Sequence, residues 1–251
     1  MFYAENGSLR QHLTDSFNSM KWEKKLDTLQ RIARGLKNIH EKGLVHCDFH
    51  CGNILNNVEN TTYITDLGLC RPANVKSSQD DDIYGFGIIA YEVCIGLPPY
   101  HDIPHDKILV ISICNGLRPK SDYKIPQLIL DIIKQCWDAD SLKRPKAKEL
   151  YDLLKNLFDK SHSYYGHEFN KQIEEADEIN EKLISSSLLY TAGTTLSYNT
   201  NPQAVYTSRL LDFKNLPVPK NAIDNKADVG EYSESIEAID FTNLSLGIHL
   251  H

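Results

Sequence analysis

The chain has no apolar run long enough to cross a bilayer, and its first residues, Met1-Phe2-Tyr3-Ala4-Glu5-Asn6-Gly7, lack the basic stretch and apolar run of a secretory leader. The most apolar later stretch, Ile88 to Ile95, is short and contains Glu92. Neither membrane insertion nor secretion is expected, and a cytoplasmic chain is predicted. Without a secretory route, the Asn-x-Ser/Thr triplets at Asn60 and Asn243 carry no weight. The six cysteines, at 47, 51, 70, 94, 114 and 136, lack the paired spacing of a disulfide framework, so reduced thiols are expected. No repeat of about 20–50 residues occurs, which argues against a solenoid. Net positive charge is missing too. Residues 1–160 hold 21 acidic and 21 basic side chains, and the remainder holds 13 acidic against 6 basic, so the whole charge of -7 lies in the last third. A chain without a basic face cannot displace the counterions of a nucleic acid, and no nucleic-acid partner is expected.

What is present is enough apolar material, 41% of 251 residues, for one sizeable core. Trp22, Leu26, Leu29, Ile32, Ala33, Leu36 and Ile39 recur at steps of three and four, predicting an amphipathic helix over about 22–41 that ends near Gly43. Ile83, Phe86, Ile88, Ile89, Ala90 and Val93 are too densely apolar for a surface helix, so a buried helix is predicted over about 82–95. Further helices are predicted from about 127 to 137 and from Pro145, a residue suited to a first helical position. Two short strands, around Ile54-Leu55 and Tyr63-Ile64-Thr65, flank a loop. An acidic amphipathic stretch runs from Phe169 through Leu183, and residues after about 190 show no periodicity and read as loosely ordered.

The segment His46-Cys47-Asp48-Phe49-His50-Cys51-Gly52-Asn53 puts an aspartate and an asparagine five residues apart in a loop, with Asp66 beyond the strand pair. Phosphoryl transfer needs such residue types. One carboxylate accepts or orients the acceptor's hydroxyl proton, while an amide oxygen and a second carboxylate hold magnesium against the triphosphate of ATP. Asp48, Asn53 and Asp66 suit those roles. A rival zinc site at His46, Cys47, His50 and Cys51 would crowd four ligands into six residues, a poor fit to one tetrahedral ion.

His-Cys-Asp-Phe-His-Cys-Gly-Asn resembles the catalytic loop of protein kinases, and Asp66-Leu67-Gly68 resembles their magnesium motif. Asp82-Ile83-Tyr84-Gly85-Phe86-Gly87 is similar to the start of the central helix of the large lobe. Cys136-Trp137 with Arg144-Pro145 is similar to the start of its last helix, and Glu5-Asn6-Gly7-Ser8-Leu9 to the segment after the hinge. The flavour is that of the tyrosine-kinase-like group of the expanded fungal type. The resemblance implies a mainly α fold: a kinase-like large lobe over 1–158, with a hinge remnant at 1–7 and a short β-hairpin carrying the catalytic and magnesium loops. An acidic helical extension over 159–190 and a loosely ordered acidic tail over 191–251 would follow. By resemblance, Asp48 is the catalytic residue, Asn53 and Asp66 are the metal ligands, and Phe2, Ala4 and Leu55 line the adenine site. The cofactors would be ATP and magnesium, and the partner a protein substrate or a signalling protein held by the lobe or tail. Asp82 would hold the catalytic-loop backbone by hydrogen bonds.

The departures from the family are as informative. No Gly-rich phosphate loop, Val-Ala-Ile-Lys motif or other sign of the smaller lobe occurs in the sequence. Only sixteen positions separate Asp66 from Asp82, so much of the activation segment, with its Ala-Pro-Glu motif, is expected to be missing. Arg144 would then be solvent-exposed or paired with a different acid, and, in a further reading of the chain as a decayed product without a stable fold, the core around the 82–95 helix would lie open. Cys47 and His50 replace an arginine and a lysine common in the family. These readings lead to a kinase-family chain that transfers phosphate weakly on its own, with a pseudokinase scaffold as the alternative.

Overall fold

The computed structural model describes residues 7–57, 61–73, 79–163, 166–186, 199–206 and 213–222. Ser8 begins the first helix, α1 (Leu9–Ser16), by accepting the Gln11 N–H on its hydroxyl at 3.3 Å, and Leu9 and Leu13 drive the helix into the core. The predicted amphipathic helix is α2 (Trp22–His40), with Trp22, Leu26, Leu29, Ile32, Ala33 and Leu36 fully buried along one stripe. Gly43, at φ 68°, takes the chain out of it in a conformation that costs glycine little. There follow β1 (Leu44–Val45), β2 (Ile54–Asn56), β3 (Thr62–Ile64) and β4 (Arg71–Pro72), which pair as two antiparallel hairpins, β1 with β4 and β2 with β3. In the second, Ile54 faces Ile64 and Leu55 faces Tyr63.

The rest is helical: α3 (Gln79–Ile95), α4 (Lys107–Cys114), α5 (Gln127–Cys136), α6 (Ala147–Ser161) and α7 (His167–Ser186). Helix α2 lies along α6, which contributes buried Leu150, Leu154 and Leu157, while α3 crosses α5 on Ile129, Ile132 and Ile133. Each such side chain removed from water is worth about 1.5–3 kcal/mol, so this stack of stripes is what holds the lobe together. The acidic stretch forms α7 because Phe169 and Ala176 bury against the lobe, next to α6 and α2. The chain is therefore a mainly α, kinase-like large lobe with short hairpins.

Three expectations change. Pro145 is not the first helical residue of α6: Lys146 is the N-cap, its N–H bound by the Glu149 carboxylate at 2.8 Å. The preceding Arg144 is held in extended backbone by its side-chain bonds, which delays the helix. The core around α3 is not open, because Ile83, Phe86, Ile89, Ala90 and Val93 are buried beneath the β1–β2 loop, α2 and α5. Two pieces of the region read as loosely ordered, 199–206 and 213–222, are seated on the lobe through backbone hydrogen bonds to His101, His105 and Cys114. Irregular backbone anchored by single hydrogen bonds leaves no periodic trace in a sequence.

No helix among the described residues is long and apolar enough to cross a membrane, and all six cysteines are free. Burial pushes the Cys94 and Cys136 thiols up to about 12, so both stay protonated at neutral pH.

Candidate active site

The loop between β1 and β2 is positioned from below by α3. Asp82, in the first turn of that helix and buried, accepts the His46 N–H at 2.7 Å, the Cys47 N–H at 3.2 Å and the His40 ring Nε2–H at 2.9 Å. Cys47 sits at φ 65°, a left-handed conformation that costs a non-glycine residue about 1–3 kcal/mol. The two bonds from Asp82 to consecutive N–H groups hold the backbone there. The expectation that Asp82 fixes the loop backbone is met.

Two histidines then fix the orientation of the loop's polar groups. The Asp48 N–H reaches His46 Nδ1 at 3.3 Å, so the His46 proton sits on Nε2, which donates to the Thr65 carbonyl at 2.9 Å. This ties the β1–β2 loop to the residue just before Asp66. Likewise the Gly52 N–H occupies His50 Nδ1 at 3.0 Å, so the neutral His50 ring carries its proton on Nε2, 3.5 Å from Asp48 Oδ1. Burial lowers the His50 pKa despite the neighbouring Asp48 charge, which favours that neutral form. The other carboxylate oxygen, Asp48 Oδ2, accepts from Asn53 Nδ2 at 3.0 Å, and the same amide donates to the Asp48 carbonyl at 2.9 Å. Asp48 is thus oriented from both sides while its side chain stays 14% exposed.

Asn53 and Asp66 come together through the β2–β3 hairpin. Asn53 immediately precedes β2, and its carbonyl accepts both the Thr65 N–H at 2.8 Å and the Thr65 hydroxyl at 3.0 Å. Asp66 follows at once, exposed and in the left-handed region at φ 55°. The two candidate ligands therefore occupy the same end of one hairpin. Both are hard oxygen donors, and Asn53 bonds Asp48 through its amide nitrogen, which leaves the amide oxygen for a cation. This donor set fits magnesium. Among the described residues no group of three or more His, Cys, Asp and Glu side chains is placed to hold a metal ion.

Leu55 is half-buried in β2 and bridges to Ser8, next to the segment that carries Phe2 and Ala4; those two lie outside the described residues. Among the described residues, Arg144 is neither left exposed nor paired with another carboxylate. Its guanidinium donates to the carbonyls of Asp80 and Asp138, both at 2.9 Å, and lies over the Tyr84 ring.

Behind the loop lies a pair that the sequence reading did not foresee. Arg10 of α1 binds the buried Glu92 of α3 through two bonds, at 2.7 and 3.0 Å. Burial would lower the Arg10 pKa, but the Glu92 carboxylate outweighs it and holds the pKa raised. The pair borders a cleft of about 430 Å³ that has Asp48 and His50 at one side and α3 and α4 along its length. Its only sequence signal is Glu92 within the apolar stretch that follows Asp82 in α3.

The family model for protein tyrosine and serine/threonine kinases matches the sequence in two pieces, residues 1–81 and 73–154. The pieces share residues 73–81, which run from just after β4 into the first turn of α3. Similar proteins include a "Probable LIM domain-containing serine/threonine-protein kinase" of Dictyostelium discoideum, 29% identical over 176 residues, covering 61% of this chain and 27% of the relative. The dual serine/threonine and tyrosine protein kinase of Mus musculus is 28% identical over 173 residues, covering 58% of this chain and 19% of the relative. The mast/stem cell growth factor receptor kita of Danio rerio is 23% identical over 232 residues, covering 82% and 24%. The chain thus spans between 19% and 27% of the length of these relatives.

Proposed function

The chain belongs to the protein tyrosine and serine/threonine kinase family, and from that premise we propose that it carries a phosphoryl-transfer constellation of Asp48, Asn53 and Asp66 that works weakly in this polypeptide. The observation that carries the reading is the paired restraint on Asp48: Asn53 Nδ2 on one carboxylate oxygen at 3.0 Å and His50 Nε2 3.5 Å from the other. A carboxylate so held can accept the proton of a serine, threonine or tyrosine hydroxyl presented from the cleft. Asn53 and Asp66 would hold magnesium, which when bound offsets the negative charge of ATP's phosphates. His46 keeps the two parts of the site in register by joining the Asp48 backbone to Thr65. Weakness follows from the fifteen residues between Asp66 and Asp82, too few to build a platform for the acceptor peptide.

Manganese, which takes the same oxygen donors, tests the site without turnover. With ATP present, titrated Mn2+ is expected to broaden the backbone amide resonances of Asn53 and Asp66 first, and Asp66→Ala to abolish the effect. Broadening that ignores both residues would contradict the assignment.

A second reading, a kinase-derived binding module without catalysis, is favoured by the rim of the Asp66 loop. Tyr63, Leu67 and Leu69 are 50%, 53% and 48% exposed there, an apolar surface suited to a protein partner.

A further inference from the structure

The cleft at Asp48 has one wall that belongs to neither the catalytic loop nor the helices. Residues 199–206 (Asn-Thr-Asn-Pro-Gln-Ala-Val-Tyr) turn at Asn201–Ala204, and Val205 and Tyr206 line the same cleft as Asp48. The segment is fastened at both ends. The Asn201 N–H donates to the His101 carbonyl at 2.8 Å, and the His105 N–H donates to the Gln203 carbonyl at 3.1 Å. The His105 ring donates Nε2–H to Tyr100 O at 3.1 Å, which leaves Nδ1 to accept the Val205 N–H at 3.2 Å. A protonated ring would instead donate to the Val205 carbonyl, 3.0 Å away, so either state holds the segment.

Tyr206 is the anchor. Its ring lies 4.8 Å from the Arg10 guanidinium and packs edge-on against His105, and its hydroxyl donates to the Pro99 carbonyl at 3.1 Å. Arg10 also reaches the Tyr206 carbonyl at 3.4 Å while its other side holds Glu92, so the strap is joined to the pair behind the catalytic loop. A second stretch of the same tail is fixed further on, where the Lys220 N–H donates to Cys114 O at 2.7 Å and Asn221 binds Ala139 and Asp138.

We propose that residues 199–206 are an intramolecular peptide ligand of this groove, a strap that walls the Asp48 cleft and governs access to it from that side. The partner the surface fits is thus a segment of this chain: an Asn-Pro turn followed by an aliphatic residue and a tyrosine. The consequence for Asp48 rests on the function proposed above. Strap seating itself is a binding equilibrium that needs neither ATP nor phosphate transfer, so the two readings can fail separately.

The test uses the full chain and a fluorescein-labelled peptide of sequence 199–206, with binding followed by anisotropy. A tethered segment competes at a high local concentration, so the double variant Val205→Asp/Tyr206→Ala is expected to bind the labelled peptide roughly 10-fold or more tighter than the unaltered chain. Adding His105→Ala to the double variant should remove that gain. In the unaltered chain the backbone amides of Asn201 and Val205 should be protected from hydrogen exchange, and the double variant should release both. Equal peptide affinity in the unaltered and double-variant chains, or unprotected Asn201 and Val205 amides in the unaltered chain, would overturn the proposal.

Discussion

Three donors converge on the Asp82 carboxylate, which touches no substrate but sets the backbone from which Asp48 projects. Replacing it with alanine strands two loop N–H groups and the His40 ring, and an unsatisfied buried donor costs about 1–3 kcal/mol. Asp82→Ala is expected to lower stability by roughly 2–4 kcal/mol in urea unfolding, and Asp82→Asn by less. At the opposite end of α3, Lys25 is 97% buried, donates to the Cys94 carbonyl at 3.0 Å and lies over the Phe17 and Trp22 rings. Burial lowers its pKa from 10.5 to about 8, against the opposing charge of Asp177. Below pH 8 the folded state must therefore keep a charged amine out of water, at a cost on the order of 3 kcal/mol. Between pH 8 and 10.5 the unfolded chain retains that proton while the folded chain has shed it, so this cost is relieved as pH rises. The buried thiols act in the opposite sense above pH 9, since the unfolded chain loses their protons first. Comparison with Lys25→Met separates the two: the variant's stability relative to the unaltered chain is expected to fall between pH 7.5 and 10. A constant difference in urea unfolding would contradict the buried-charge account.

Among the elements, α3 is the one on which the site depends, and its packing leaves no room for change at Gly87. A Cβ there would lie 2.5 Å from Trp137 Nε1 and 3.0 Å from Cys136 Cβ, so Gly87→Ala must push α3 and α5 apart. A loss of about 1–3 kcal/mol is expected, measured as a lower midpoint in thermal or urea unfolding. At Gly43, where nothing lies within 4 Å of the added carbon, alanine should cost about 1–2 kcal/mol, from backbone strain alone. The elements legible in the sequence were those with a long apolar period: α2, α3, α5, the body of α6 and the amphipathic α7. Helices α1 and α4 were not, because eight residues carry barely two turns and Lys107–Cys114 is apolar on most sides, without a stripe to read. Asp48, Asn53 and Asp66 were legible because their motif is local and the hairpin that unites them is short. The Arg10–Glu92 pair joins residues 82 positions apart, and the strap meets His105 across 100. Such contacts are decided by tertiary packing and leave only an odd charged residue, or nothing, in the linear pattern.

At the scale of the whole molecule, the chain belongs to the kinase family, and two described pieces of its tail pack on the helical body. The helical core stays closed, Arg144 caps the carbonyls of Asp80 and Asp138, and residues 199–206 wall the cleft that leads to Asp48. Asp48, Asn53 and Asp66 are gathered at one end of the β2–β3 hairpin. The measurement that bears most directly on this account is transfer of labelled phosphate from ATP and magnesium to a mixed set of serine, threonine and tyrosine peptides by the purified chain, beside Asp48→Ala. The expected result is incorporation near background in the unaltered chain, within a few-fold of the variant. Robust incorporation that Asp48→Ala abolishes would contradict it.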